Sequence, residues 1–265
     1  MSGSSRSQIL RRTCFAGLLL AASLALGACQ NKSASLDGAD PMTTGSTSPP
    51  SLKETAKLGK SWQNDPKNLR LGLAYASRLK KLGQSDQQLQ VLATLIQYHP
   101  ENPTLLATYG RELAQAGQPD RAQPALAKAI AQGSSDWKVY SAMGSTLDQQ
   151  AKYGEARDYY QRALKLAPDN AAVLNNLGMS YALEGNLKQA EKTLREASDL
   201  PAGKSEPRLR QNLALVVGLQ GRFEEARQIA SADLPPDQVD ANMAYLQKML
   251  AQPNTWQQLT EKPAG

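Results

Sequence analysis

Cys29 is the residue whose position most directly indicates chemistry. Its thiol follows Leu26-Gly27-Ala28 at the end of an apolar stretch near the N-terminus. The apolar stretch, Cys14 to Leu26, follows three arginines and is too short to span a bilayer. A positive region, a short apolar region and small residues before a cleavage point are the parts of an export signal. We therefore expect residues 1–28 to be a signal peptide that is removed.

The residues around Cys29 resemble the lipobox of bacterial lipoproteins. By that resemblance, the Cys29 sulfur carries a covalent lipid with acyl chains such as palmitate, and Cys29 becomes the mature N-terminus. Gln30 stands where Asp would favour retention at the inner membrane. The resemblance thus implies a lipid-anchored protein on the periplasmic face of the outer membrane. The open alternative is an ordinary secreted protein in which Cys29 is free or paired.

Cysteine content and charge argue against several kinds of function. Cys14 would leave with the signal and Cys29 would be lipidated, so no thiol would remain for a disulfide, a nucleophile or a metal site. Loss of Arg6, Arg11 and Arg12 lowers the formal charge from +6 to +3. This modest charge does not indicate a nucleic-acid partner. Apart from the covalent lipid on Cys29, no cofactor is expected.

The segment after Cys29 has the composition of a linker. It is rich in Ser, Thr, Gly, Pro and Asp and has almost no large apolar residue. Such a segment cannot bury enough surface to offset its conformational entropy. We expect residues 29–51 to be a flexible membrane tether with a mean reach on the order of 25 Å.

A 34-residue repeat organises the rest of the chain. The repeated positions are Gly110, Gly144 and Gly178; Gly83, Gly117, Ala151 and Gly185; Ala122, Ala156 and Ala190; and Ala129, Ala163 and Ala197. Glycine inside a helix costs about 1 kcal/mol relative to alanine, so the first set predicts close approach of a second helix. The second set predicts left-handed turns at helix ends. Asn102-Pro103 and Asp65-Pro66 predict helix starts.

The repeated residues resemble the tetratricopeptide repeat. The clearest copy contains Trp137, Tyr140, Met143-Gly144, Leu147, Ala156, Tyr160, Ala163 and Pro168. A weaker copy begins at Leu69, and the last copy begins near Pro207 after a two-residue insertion. The resemblance implies an all-α fold, a right-handed superhelical solenoid of helix-turn-helix repeats.

The solenoid is expected to span residues 52–251. Leu52 to Trp62 matches only the second helix of a unit, and an apolar stripe at helical spacing follows the last copy. Its members are Val239, Met243, Leu246 and Leu250. Both segments are interpreted as terminal capping helices, which a solenoid needs to cover its ends. We expect residues 252–265 to be a C-terminal tail.

Tetratricopeptide proteins commonly bind a peptide in a concave groove lined by the first helix of each unit. The resemblance places several polar residues at groove positions of these helices. The candidate peptide-binding residues are Arg111, Lys138, Asn175, Asn176, Met179, Arg208, Gln211 and Asn212. Asn176 and Asn212 occupy the same position in successive units, so their amides could hold a bound backbone. Equally, they could be repeat residues whose hydrogen bonds are satisfied locally.

Catalytic chemistry is poorly supported by this sequence. His99 is the only histidine and precedes Pro100 at the end of a repeat, which favours a surface or packing role. Glu224 and Glu225 are adjacent, and adjacent helix positions point in different directions. We expect neither an enzyme nor a metal site nor a small-molecule substrate.

A narrower resemblance lies in the last repeats. The segments Arg208–Ala230, RLRQNLALVVGLQGRFEEARQIA, and Ala241–Leu259, ANMAYLQKMLAQPNTWQQL, resemble the TadD family. TadD proteins are tetratricopeptide lipoproteins of the tight-adherence, or Flp, pilus assembly system. The resemblance extends back through Asp136-Trp137-Lys138 to the lipobox.

The TadD resemblance implies a protein-binding scaffold in pilus biogenesis. Its partners would be proteins of the pilus or secretion apparatus, with the secretin channel foremost, and its role would be pilotin-like assembly or stabilisation of that channel. The alternative function is a general cell-envelope adaptor lipoprotein that is not dedicated to pili. An enzyme with an unrecognised site is the least favoured reading, because the usual catalytic groups are missing.

Overall fold

A computed structural model describes residues 51–251 of the chain. The predicted signal, Cys29 and the C-terminal tail lie outside these residues. Of the predicted tether, only Ser51 lies within them. Within the described range all regular elements are α-helices. They are α1 Leu52–Asn64, α2 Leu69–Lys81, α3 Ser85–Tyr98, α4 Pro103–Gln115, α5 Pro119–Ala131, α6 Trp137–Gln149, α7 Tyr153–Leu166, α8 Ala171–Leu183, α9 Leu187–Asp199, α10 Pro201–Lys204, α11 Pro207–Leu219, α12 Phe223–Ala230 and α13 Pro236–Ala251.

Ten of these helices form five pairs, each joined by a short turn. The first helices of the pairs are α2, α4, α6, α8 and α11, and the second helices are α3, α5, α7, α9 and α12. Each second helix also contacts the first helix of the next pair, so the apolar interior continues from pair to pair. This packing confirms the expected all-α solenoid of helix-turn-helix repeats. No helix between residues 51 and 251 is both long and apolar enough to cross a bilayer.

The glycines inside the first helices let each pair pack closely, as the sequence predicted. A Cβ added to Gly144 would lie 2.6 Å from the Tyr160 ring on the second helix. At Gly110 and Gly178 the corresponding distance to the facing leucine side chain is 2.7 Å. Real Cβ atoms do not come this close to other heavy atoms, so only glycine permits the observed spacing.

The turn within each pair uses a left-handed residue. Gly83, Gly117 and Gly185 have φ values of +72°, +67° and +90°, which confirms the predicted turns. Ala151 adopts the same conformation with φ +59° although it carries a side chain. In that turn the Lys152 amide donates to the Leu147 carbonyl oxygen, as in a Schellman ending.

Four first helices begin at a capping residue spaced by the repeat. These N-caps are Asn68, Asn102, Asp136 and Asn170, and each side chain accepts a hydrogen bond from a backbone amide in the first turn. The predicted start at Asn102-Pro103 is therefore confirmed. The predicted start at Asp65-Pro66 is wrong, because Asp65 is the C-cap of α1 and α2 begins after Asn68.

Additional helices lie before, between and after the five pairs. At the N-terminal end α1 packs on α2, and at the C-terminal end α13 packs on α11 and α12 with Val239, Met243 and Leu246 buried. The connection that holds the two-residue insertion contains α10, a short helix that the sequence did not predict. A Cβ on Gly203 of α10 would overlap the Ala197 carbonyl oxygen, so this helix packs directly on the backbone of α9.

Candidate functional site

The first helices lie side by side and together line a groove. α4 contacts α6, α6 contacts α8, and α8 contacts α11. The groove has a volume of about 430 Å³, and all five first helices contribute residues to it. Its lining residues are Lys80, Arg111, Glu112, Ala114, Gln115, Trp137, Lys138, Ser141, Ala142, Ser145, Asn176 and Arg208.

Four of the eight predicted peptide-binding residues line this groove: Arg111, Lys138, Asn176 and Arg208. The other four lie on α8 and α11 beside it. Of these, Asn175 is buried, Met179 packs against the apolar interior, Asn212 is half-buried and Gln211 is exposed. The structure thus brings the three predicted cations together in the groove. The predicted amide side chains differ from one another in burial.

Hydrogen bonds between neighbouring units engage the predicted asparagines. The Asn176 amide nitrogen donates to the Ser141 hydroxyl at 3.2 Å. The Asn212 amide nitrogen donates to the Asn175 side-chain oxygen at 2.8 Å. Each amide NH₂ group has two hydrogens, and these contacts use one of them. The local bonds therefore fix the orientation of Asn176 and Asn212 and leave a second donor on each.

Cationic side chains dominate the charge of the groove. Two of them have acidic partners, with Lys80 Nζ 2.6 Å from a Glu112 oxygen and Arg111 Nη1 3.4 Å from an Asp136 oxygen. The Lys138 ammonium lies 5.7 Å from the centre of the Trp137 ring. Among residues 51–251, neither Lys138 nor Arg208 pairs with a carboxylate.

Sequence reasoning missed three polar residues of the groove. Lys80, Glu112 and Gln115 lie near the C-terminal ends of α2 and α4, beyond the positions usually assigned to peptide contact. Lys80 also donates to Gln115 at 3.2 Å. The detectable signal is charge complementarity between Lys80 and Glu112 at a separation of 32 residues, close to one repeat.

A half-buried carboxylate links three helices. Asp148 of α6 accepts hydrogen bonds from the Tyr160 hydroxyl of α7 at 2.8 Å and from the Ser180 hydroxyl of α8 at 2.7 Å. Burial has the largest effect and raises the pKa of Asp148 to about 6, although both hydroxyls and the nearby Arg157 act in the opposite direction. Asp148 thus joins two successive units through a group that titrates near neutral pH.

Comparisons with known proteins agree with this architecture. Residues 141–207 match the family model described as tetratricopeptide repeat. The TPR repeat-containing protein PA4667 of Pseudomonas aeruginosa is 43% identical over 58 residues, which are 22% of this chain and 10% of that protein. This chain therefore spans only a small part of that curated relative.

Solved structures extend the likeness over most of the described chain. PilW, a widely conserved type IV pilus biogenesis factor, is 19% identical over 75% of this chain and 90% of its own, with a TM-score of 0.60. YrrB, a TPR protein with an unusual peptide-binding site, is 16% identical over 73% of this chain and 99% of its own, with a TM-score of 0.52. At these identities the likeness establishes the fold. The helical pairs between residues 51 and 251 thus share the fold of tetratricopeptide-repeat proteins, and residues 141–207 within them match the tetratricopeptide-repeat family model.

Proposed function

We propose that this protein is a non-catalytic scaffold that binds an extended segment of a partner protein in the groove of its first helices. The observation that carries this proposal is the contribution of all five first helices to one groove. A segment lying along it would touch successive units, so specificity would come from contacts repeated at the spacing of the helices.

The charge of the groove favours a segment that carries carboxylates. Lys138 and Arg208 have no acidic partner among residues 51–251, and Arg111 has a long contact of 3.4 Å with Asp136. Arginine binds carboxylates through two parallel hydrogen bonds, whereas lysine supplies a point charge. The remaining hydrogen of the Asn176 amide can donate to a backbone carbonyl of the same segment.

Pilus biogenesis is the cellular process that we propose for this scaffold. PilW is a type IV pilus biogenesis factor with a similar fold, and the last repeats resemble the TadD family of Flp pilus lipoproteins. Together with the predicted lipid on Cys29, these likenesses support an outer-membrane-anchored factor that assists assembly or stability of the secretin. Anchoring would place the groove beside the membrane in which the channel assembles.

The groove assignment can be tested with paired variants. Full-length protein carrying Lys138→Ala and Arg208→Ala should retain its partners at least tenfold less well, because each lost charge-assisted contact contributes about 1.5–3 kcal/mol. The matched control carries Lys188→Ala and Lys192→Ala, which remove the same charge from exposed positions of α9. Proteins retained from solubilised envelopes are quantified by mass spectrometry. Equal retention by both variants would contradict the groove assignment.

The pilus assignment needs a separate experiment in cells. Deleting the gene should reduce secretin multimers and surface pili while leaving other outer-membrane proteins at normal abundance. A broad loss of envelope proteins with normal secretin multimers would refute the pilus role and favour a general envelope adaptor.

A further inference from the structure

Charge is unevenly distributed along the described chain. Residues 51–82, which contain α1 and α2, have eight Lys and Arg against two Asp and Glu, a net charge of +6. Residues 83–251 have 17 Lys and Arg against 19 Asp and Glu, a net charge of −2. The positive charge of the solenoid is therefore concentrated at its N-terminal end, next to the predicted tether.

Three lysines of α1 form a continuous stripe, which we call the basic face. Lys53, Lys57 and Lys60 are spaced by four and three residues, so they lie on one side of the helix, and all three are exposed. Thr55 and Gly59 lie on the opposite side and are buried, with Gly59 against the Tyr75 ring of α2. The basic face therefore points away from the rest of the solenoid.

The cations of this end are largely free of acidic partners. Two cations of α2 do have them: Arg78 pairs with Glu54 at 3.5 Å, and Lys80 pairs with Glu112. Within residues 51–251, no carboxylate lies within 4.0 Å of the ammonium groups of the basic face. The same holds for Lys67, Arg70 and Lys81.

We propose that the basic face of α1 rests on the anionic phosphate surface of a lipid bilayer. The proposal relies on the proposed lipid anchor, because the tether that precedes Ser51 would keep α1 on the order of 25 Å from the membrane. A row of lysines on flexible stems suits a field of mobile headgroup phosphates, since ammonium groups act as point charges and need no fixed geometry. An acidic protein partner is better served by the groove, which contains no residue of α1.

This contact would set the orientation of the whole solenoid. Each lysine near an anionic membrane surface increases the bound population about fivefold, so three lysines increase it on the order of 100-fold at low salt. The N-terminal end would then lie against the bilayer while α13, at the other end of the chain of repeats, would stay free of it. The attraction would weaken as salt rises, because ions screen charges beyond about 10 Å at 0.1 M.

Energy transfer to labelled lipid measures the proposed contact in the full-length protein. The chain suits specific labelling, because Cys14 is expected to leave with the signal and Cys29 to carry lipid. A donor dye is placed at Ser61→Cys in α1 or, as a positional control, at Gln247→Cys in α13; both positions are exposed. The protein is combined with vesicles of phosphatidylcholine alone or with 30% phosphatidylglycerol (a composition chosen to make the surface anionic). Sedimentation with pure phosphatidylcholine vesicles separately reports the anchor.

We expect phosphatidylglycerol to raise transfer from position 61 at least twofold and to leave transfer from position 247 unchanged. The increase should disappear in 0.5 M salt and in the triple variant with Lys53→Gln, Lys57→Gln and Lys60→Gln. A control triple variant with Lys152→Gln, Lys188→Gln and Lys192→Gln removes equal charge from other exposed positions and should keep the increase.

Two results would overturn the proposal. One is equal energy transfer from position 61 in both lipid compositions, which would favour an acidic protein as the partner of the basic face. The other is an increase that the basic-face triple variant retains. If the protein failed to sediment with phosphatidylcholine vesicles, only the proposed lipid anchor would be refuted. The contact of the basic face is tested separately, by the change in energy transfer that phosphatidylglycerol causes.

Discussion

At the scale of single residues, Ala151 is the departure from the turn pattern. The corresponding turns at Gly83, Gly117, Gly185 and Gly221 all use glycine, and Ala151 has φ +59°. A left-handed conformation costs a residue with a side chain about 1–2 kcal/mol, whereas glycine adopts it without that cost. The native state therefore carries strain at this turn.

Replacing Ala151 should relieve the strain. We expect Ala151→Gly to raise the free energy of unfolding by about 0.5–1 kcal/mol, because part of the relief is offset by the greater entropy of glycine in the unfolded chain. Gly117→Ala, the reverse change at the same repeat position, should lower it by about 1 kcal/mol. Urea unfolding followed by circular dichroism measures both. A loss of stability in Ala151→Gly would show that the turn is not strained.

Asp148 provides a second prediction at this scale. Its pKa is raised from 3.8 to about 6 in the folded protein, mainly by burial. Between these two pH values the folded chain holds a proton that the unfolded chain releases. The resulting stabilisation is fully present below pH 3.8 and is lost as the pH rises through 6.

Removing the charge of Asp148 should abolish this loss. We expect Asp148→Asn to raise the free energy of unfolding by about 1–2 kcal/mol at pH 7.5, because Asn can still bond the two hydroxyls without a buried charge. At pH 4.5 the gain should be much smaller, since most Asp148 in the folded protein is then protonated. Unfolding curves at the two pH values test this, and an equal gain at both would argue against a raised pKa.

At the scale of helices, the close approach of α6 and α7 depends on Gly144. A Cβ there would lie 2.6 Å from the Tyr160 ring, which is only 1% exposed and has no free space to move. We expect Gly144→Ala to lower the free energy of unfolding by about 1–3 kcal/mol, the usual cost of overpacking a core.

Gly154 supplies the matched control for that change. It lies in α7, and a Cβ there would have no neighbour within 4 Å, so Gly154→Ala should stabilise the helix by about 0.5–1 kcal/mol. Thermal unfolding of the two variants should therefore shift in opposite directions. If both substitutions lowered the free energy of unfolding, the loss in Gly144→Ala would come from the helix backbone and not from packing against Tyr160.

Helix pairs were predictable here because their signals are local and periodic. Glycines at 110, 144 and 178 mark the close contacts, and those at 83, 117 and 185 mark the turns. The start of α2 was misplaced because Asp65-Pro66 has the same residue types as a true start, while the N-cap is Asn68. The short helix α10 was not predicted because it does not recur in the other repeats. Its position depends on the close contact of Gly203 with the Ala197 carbonyl, which no repeated residue marks.

The groove was only half predictable for a related reason. Repeat positions indicate which residues face it, and Arg111, Lys138, Asn176 and Arg208 do line it. Asn175 is buried and accepts a hydrogen bond from Asn212, 37 residues away, and the sequence reveals neither the burial nor this contact. Sequence reasoning places residues on a helix face, but contacts between units decide which of them remain available.

At the scale of the whole molecule, two surfaces have separate proposed roles. The groove of the first helices would hold a carboxylate-bearing segment, and the basic face of α1 would contact anionic lipid. Because the groove extends from Lys80 to Arg208, membrane contact at α1 would leave most of its length open to a partner. The predicted lipid on Cys29 would keep both surfaces at the same membrane.

Site-specific photo-crosslinking in living cells tests the central claim of groove binding most directly. A photoreactive amino acid replaces Ser145 in the groove or, as a control, Gln161 on the exposed side of α7 in the full-length protein. We expect position 145 to give a discrete adduct with a protein of the pilus or secretion apparatus, and the adduct should be lost when Lys138→Ala and Arg208→Ala are added. Partner adducts from position 161 with none from position 145 would contradict binding in the groove.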